Sequence, residues 1–120
     1  MTSFLPSLAS RDGAERRVDP RKPLRANAEL LVGGENVAGR TLDISTSGIG
    51  ISTSVNPRSG ESLSLLLAPV GAPRGRDFVV VPVTVVHSVL SRGEGGFKVG
   101  LRFAELPAAA IEVVRGYLLG

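Results

Sequence analysis

The chain has 120 residues, 42% of them hydrophobic, with 15 glycines, 8 prolines and no cysteine. That length suits one domain with a modest core, and the missing cysteine excludes a disulfide framework and a thiolate metal site. The net charge of +3 is confined to residues 11–25, where Arg11, Arg16, Arg17, Arg21, Lys22 and Arg25 outnumber Asp12, Glu15 and Asp19.

Residues 1–14 show no sustained period and contain Pro6 and Gly13, which predicts a flexible N-terminal arm ahead of a single domain over residues 15–120. No basic stretch precedes an apolar run, Pro6 interrupts the best apolar candidate, and no stretch approaches the roughly 18 apolar residues that cross a bilayer. The expectation is a cytoplasmic protein without membrane insertion. From Arg25 the pattern alternates, with Ala26, Ala28, Leu30 and Val32 facing inward on a first strand. Gly33-Gly34 supplies a tight hairpin turn, and Val37–Ile44 returns as a second strand.

Asp43–Gly48 breaks the alternation before Ile49 and Ile51 resume it, and Asn56–Gly60 marks another reversal ahead of a strand through Leu63, Leu65 and Leu67. A Pro/Gly-rich loop over residues 69–76 leads into the Val-rich run Phe78–Leu90, in which Pro82 predicts an edge position or a bulge. Phe97, Val99, Leu101 and Phe103 then alternate with Lys98, Gly100 and Arg102. Pro107 suits a first helical position, and Ala110, Ile111, Val114 and Leu118 make an apolar stripe. The sum is an all-β fold, a six-stranded antiparallel split barrel with a short C-terminal helix.

Two segments carry recognisable chemistry. Arg16-Arg17-Val18-Asp19-Pro20-Arg21 precedes the first strand, and Pro20 disfavours helix at Asp19, so the arginines sit on an extended arm. Guanidinium forks match phosphate oxygens and stack on purines, although a charge run of this kind also serves as a solvated tail. In Asp43-Ile44-Ser45-Thr46-Ser47-Gly48, Asp43 can accept two N–H donors from one edge of a planar base, as guanine presents them. Ser45 can bond either the turn backbone or a phosphate, and Gly48 can take a positive φ and let a ligand close to its amide. The same residues also suit an ordinary Asx/Ser turn.

In this order and about 22 residues apart, the two segments resemble the PilZ family of bacterial cyclic di-GMP receptors. Arg17 and Arg21 fit its R-x-x-x-R motif, Asp43, Ser45 and Gly48 fit its (D/N)-x-S-x-x-G motif, and Gly96–Phe103 is similar to its closing strand. The resemblance implies cyclic di-GMP held between arm and turn, with no other cofactor, no metal and no catalytic activity. Arg17 and Arg21 would contact guanine and phosphate, Asp43 and Ser45 would read a guanine edge and a neighbouring phosphate, and Gly48 would permit the approach. Arg16, directly before the first motif arginine, implies two intercalated ligand molecules. His87 stands nearest to an aromatic that some members place in a later strand, and a structural role for it stays open.

The expected mechanism is a switch: ligand phosphates neutralise the arginines and fold residues 1–22 across the barrel, changing the surface shown to a downstream protein partner. The alternative is a PilZ-like protein-interaction module that needs no ligand. A nucleic-acid binder would want surface aromatics, yet the chain has four Phe and one Tyr, and Phe97 and Phe103 are assigned to the core. With one His and no cysteine, no pair resembles a nucleophile with its base.

Overall fold

A computed structural model describes residues 20–72, 78–93 and 95–120. Strand β2 (Asn27–Val32) buries Ala28 and Leu30, and pairs with β3 (Glu35–Ile44) across Gly33-Gly34, whose φ angles are 59° and 84°. Left-handed conformations at both central residues give the turn twist that matches the right-handed twist of the flanking strands. Ala26 lies outside this strand, because the chain breaks before Asn27. The break separates β2 from a two-residue strand, β1 (Lys22–Pro23), which pairs with Ile44 and Asp43 near the far end of β3. Thr41, fully buried, spans the gap: its hydroxyl accepts from the Ala26 amide at 2.8 Å and donates to the Leu24 carbonyl at 3.0 Å.

The sheet continues through β4 (Gly48–Thr53), β5 (Ser62–Leu67), β6 (Val79–Ser91) and β7 (Gly96–Phe103). Its order is β1-β3-β2-β5-β6-β7-β4, and pairing of β4 back to β3 closes six antiparallel strands into the expected barrel, with β1 as an addition. Inward positions are filled by Leu30, Ile44, Ile49, Ile51, Leu65, Leu67, Val81, Val83, Val85 and Val99, each at most 1% exposed. Burial of such side chains, about 1.5–3 kcal/mol each, is the main favourable term in the fold.

Pro82 does not mark an edge strand, for β6 pairs with β5 on one side and β7 on the other. Its carbonyl accepts from the Ala104 amide at 3.0 Å, just beyond the last residue of β7. The missing N–H therefore falls where that ladder ends and costs little. The helix α1 (Ala108–Leu119) has Pro107 as its N-cap in extended conformation, one position before the first turn where sequence had placed it. Its buried face is Ala110, Val113 and Val114, continuing to half-buried Tyr117, while Ile111 is 41% exposed. That face follows i, i+3, i+4, i+7, and Ile111 is turned about 100° from Ala110. Lys22 reaches the far end of α1, donating from Nζ to the carbonyls of Tyr117 (3.0 Å) and Leu118 (3.4 Å). A cation there satisfies last-turn carbonyls and complements the helix dipole.

Candidate functional site

The connection from β3 to β4 is a two-residue turn, Thr46-Ser47, closed by the Ser45 amide donating to the Gly48 carbonyl at 2.8 Å. Ser45 is fully buried, and its Oγ accepts from the amides of Gly48 (3.2 Å) and Ser47 (3.3 Å). Of the two roles open to Ser45, the structure displays the one in the turn backbone. Gly48 is not among the glycines with positive φ. It is needed for a different reason: a β-carbon there would lie 2.2 Å from the Leu101 carbonyl oxygen of β7. Close strand packing, and not a left-handed turn, fixes this glycine.

Asp43 owes its direction to a bulge. Thr41 pairs with Ile51 and Ile44 with Ile49, so β3 spends three steps where β4 spends two, with Leu42 as the extra residue. Thr41 and Ile44 thus both face inward, and Asp43 is re-aimed outward over its partner Gly50. Its Oδ1 accepts from the Gly50 amide at 3.1 Å, and from Arg21 through Nε at 2.9 Å and Nη2 at 2.8 Å. Arg21 Nη1 also approaches Ser45 Oγ at 3.5 Å. Three of the six expected site residues are therefore brought together, with Arg21 touching both Asp43 and Ser45, and a fourth, Gly48, bonded to Ser45 within the turn. Arg16 and Arg17 lie outside the described residues, as does the proposed arm over 1–14. The switching segment was expected to run to residue 22, but Lys22–Pro23 is paired to β3 and Arg21 is fixed on Asp43.

The second bulge sits on β6, between Val85 and His87, with Val86 as the extra residue. It turns His87 outward over Gly100, and a β-carbon on Gly100 would meet the imidazole at 2.4 Å from Cε1. Gly100 in turn pairs with Gly50. One transverse row across four strands thus reads His87, Gly100, Gly50, Asp43, with two glycines as the floor and a bulge at each side.

This row underlies a groove of about 360 Å³, lined by Arg21 and Asp43 on one side, Val86 and His87 on the other, and Lys98 and Arg102 of β7. Its size lies in the range of small-ligand sites. Sequence reasoning did not pick out Gly50, Gly100, Lys98 or Arg102. The available signal was a glycine within an otherwise regular strand pattern, which marks a bulge or a close approach. Among the described residues no group of three or more His, Cys, Asp or Glu could hold a metal ion, and no helix is long and apolar enough to cross a membrane.

A scan against models of protein families matches residues 15–120 to the PilZ domain. The chain belongs to the PilZ domain family. No curated protein matches the sequence. Among solved structures, the PilZ fold of this chain is similar to that of the Bacillus subtilis inhibitor of motility, MotI/DgrA. The TM-score is 0.66 at 18% identity, over 84% of this chain and 48% of that one. The chain thus spans about half the length of that protein. It is also similar to the PilZ domain with c-di-GMP of YcgR from Escherichia coli, with a TM-score of 0.59 at 12% identity, over 87% of this chain and 89% of that one. At these identities the likeness is one of fold.

Proposed function

We propose that this PilZ domain is a cyclic di-GMP receptor that takes the dinucleotide in the groove between Arg21–Asp43 and β7. The observation that carries the reading is the contact of Arg21 with Asp43 at 2.8 Å, which joins the last arginine of one motif to the first residue of the other across 22 positions of sequence. The arginine fork offers donors to a phosphate, and among the described residues Asp43 Oδ2 has no partner, leaving it to accept from a guanine edge. Membership of a family whose solved relatives include a domain with c-di-GMP supports the same ligand.

In this reading Arg17 joins Arg21 on the ligand, Ser45 holds the turn and meets a phosphate beside it, and Gly48 keeps the turn against β7. Arg16 favours a stacked pair of ligand molecules. Ligand contacts draw the segment before Arg21 over the barrel, and the altered surface is read by a protein partner. The domain works by binding, not by chemistry on its ligand, and acts in the cytoplasm.

Calorimetric titration of the full chain with cyclic di-GMP tests this directly. Saturable binding with a stoichiometry near two ligands per chain is expected. It should be weakened about 10- to 150-fold by Arg17→Ala or Arg21→Ala, as for loss of one charge-assisted contact. Absence of binding by the parent chain would sink the receptor reading and leave a ligand-independent interaction module.

A further inference from the structure

We infer that Lys98 and Arg102 form a second anion-contacting wall of the groove, opposite Arg21, so that the site takes a ligand bearing two separated phosphates. The inference rests on the proposal that a cyclic dinucleotide occupies this groove.

On β7 the outward positions alternate as Lys98, Gly100 and Arg102. Four residues of strand put the two cations about 13 Å apart along the chain. The residue between them has no side chain of its own, and the His87 imidazole lies over it, as the Asp43 carboxylate lies over Gly50. Outward charges on a sheet are commonly balanced by an acid on the neighbouring strand. Here the neighbours of Lys98 are Ser52 and Val89, and those of Arg102 are Gly48 and Thr84. Among the described residues neither cation makes a hydrogen bond or ion pair, and both line the groove. Arg21, by contrast, is held by Asp43. Among the described residues the β7 pair is thus positive charge without a paired acid, at the lining of the groove.

A cyclic dinucleotide carries its two phosphodiesters on opposite sides of one ring. With one phosphate at Arg21, the other projects across the Gly50–Gly100 floor toward β7. Arg102 can bind two phosphate oxygens through its fork, and Lys98 contributes a mobile point charge. Guanosine monophosphate, with a single phosphate, engages one wall only.

The test is calorimetry on the full chain with cyclic di-GMP and with guanosine monophosphate, each at several salt concentrations. The proteins are the parent, Lys98→Ala, Arg102→Ala, Arg102→Gln and Arg21→Ala. Arg102→Ala and Arg102→Gln should each weaken cyclic di-GMP binding about 10-fold, Lys98→Ala somewhat less. Each should make cyclic di-GMP binding less sensitive to salt than it is in the parent, because one screened charge contact is lost. Binding of guanosine monophosphate should stay at the parent level in all three, and their thermal unfolding should be unchanged. Parent-like affinity and salt dependence for cyclic di-GMP in the β7 variants, alongside a weakened Arg21→Ala, would overturn the second wall and leave the receptor reading intact. Absence of cyclic di-GMP binding by the parent would overturn both.

Discussion

Arg21 brings two nitrogens, Nε at 2.9 Å and Nη2 at 2.8 Å, to a single oxygen of Asp43. Both side chains stay solvated, at 44% and 37% exposure, so screening keeps the pair's contribution to stability below about 1 kcal/mol. Arg21→Ala should therefore shift the urea unfolding free energy by less than about 1 kcal/mol while cutting ligand affinity by an order of magnitude or more. A loss of stability large enough to explain the loss of binding would contradict that separation.

Gly48→Ala should behave in the opposite way. The new methyl group would meet the backbone carbonyl of Leu101, which is locked in the β4–β7 ladder and has no side-chain freedom to yield. We expect destabilisation of about 1–3 kcal/mol or more, measured by chemical denaturation. Near-parent stability would show that β4 and β7 can part at this point without cost.

At Gly100 the obstacle is a side chain. All three nearest atoms to an added β-carbon belong to the His87 ring, and a surface imidazole can swing aside. Gly100→Ala should cost less than about 1 kcal/mol in stability yet displace His87 into the groove and weaken binding. The cost in stability should vanish in a His87→Ala background, which a double-mutant cycle measures. Additive effects would mean that the two residues do not touch.

Tyr117 donates its hydroxyl to the Ala68 carbonyl at 2.6 Å, and burial raises its pKa above the ordinary 10.0. The folded chain therefore holds this proton more tightly than the unfolded chain. The associated stability is fully present below pH 10.0 and declines as pH rises through the folded value. Tyr117→Phe should lower stability at neutral pH by about 0.5–1.5 kcal/mol. It should also show a smaller decline than the parent above pH 10.0 in pH-dependent melts. Identical alkaline profiles would refute the assignment.

The strands were legible because one-sided burial writes a period of two into the chain, as in Phe97–Phe103, and because Gly33-Gly34 asks for a turn that few other pairs can make. The convergence of Arg21, Asp43 and Ser45 was legible through motif order. Pro82 signalled a bulge in β6 but not its place at Val86, and the bulge at Leu42 left no signal, since an extra residue is defined by what lies opposite it, and the opposing strand is set only by the fold. β1 was missed because Lys22–Pro23 is too short to show a period, and its pairing depends on Thr41 bridging the break. Gly48 was assigned the wrong reason because a positive φ and a close backbone neighbour both call for glycine, and sequence does not distinguish them.

Arg21 and Lys22 are consecutive, yet one grips the Asp43 carboxylate and the other holds the final carbonyls of α1, as neighbouring side chains on an extended chain diverge. The beginning of the described chain and its tail consequently share one fastening. Prising Lys22–Pro23 away from β3 would fray the last helical turn as well as empty the Asp43 corner, so a protein trimmed back to Leu24 would be wounded at two distant places by a single cut.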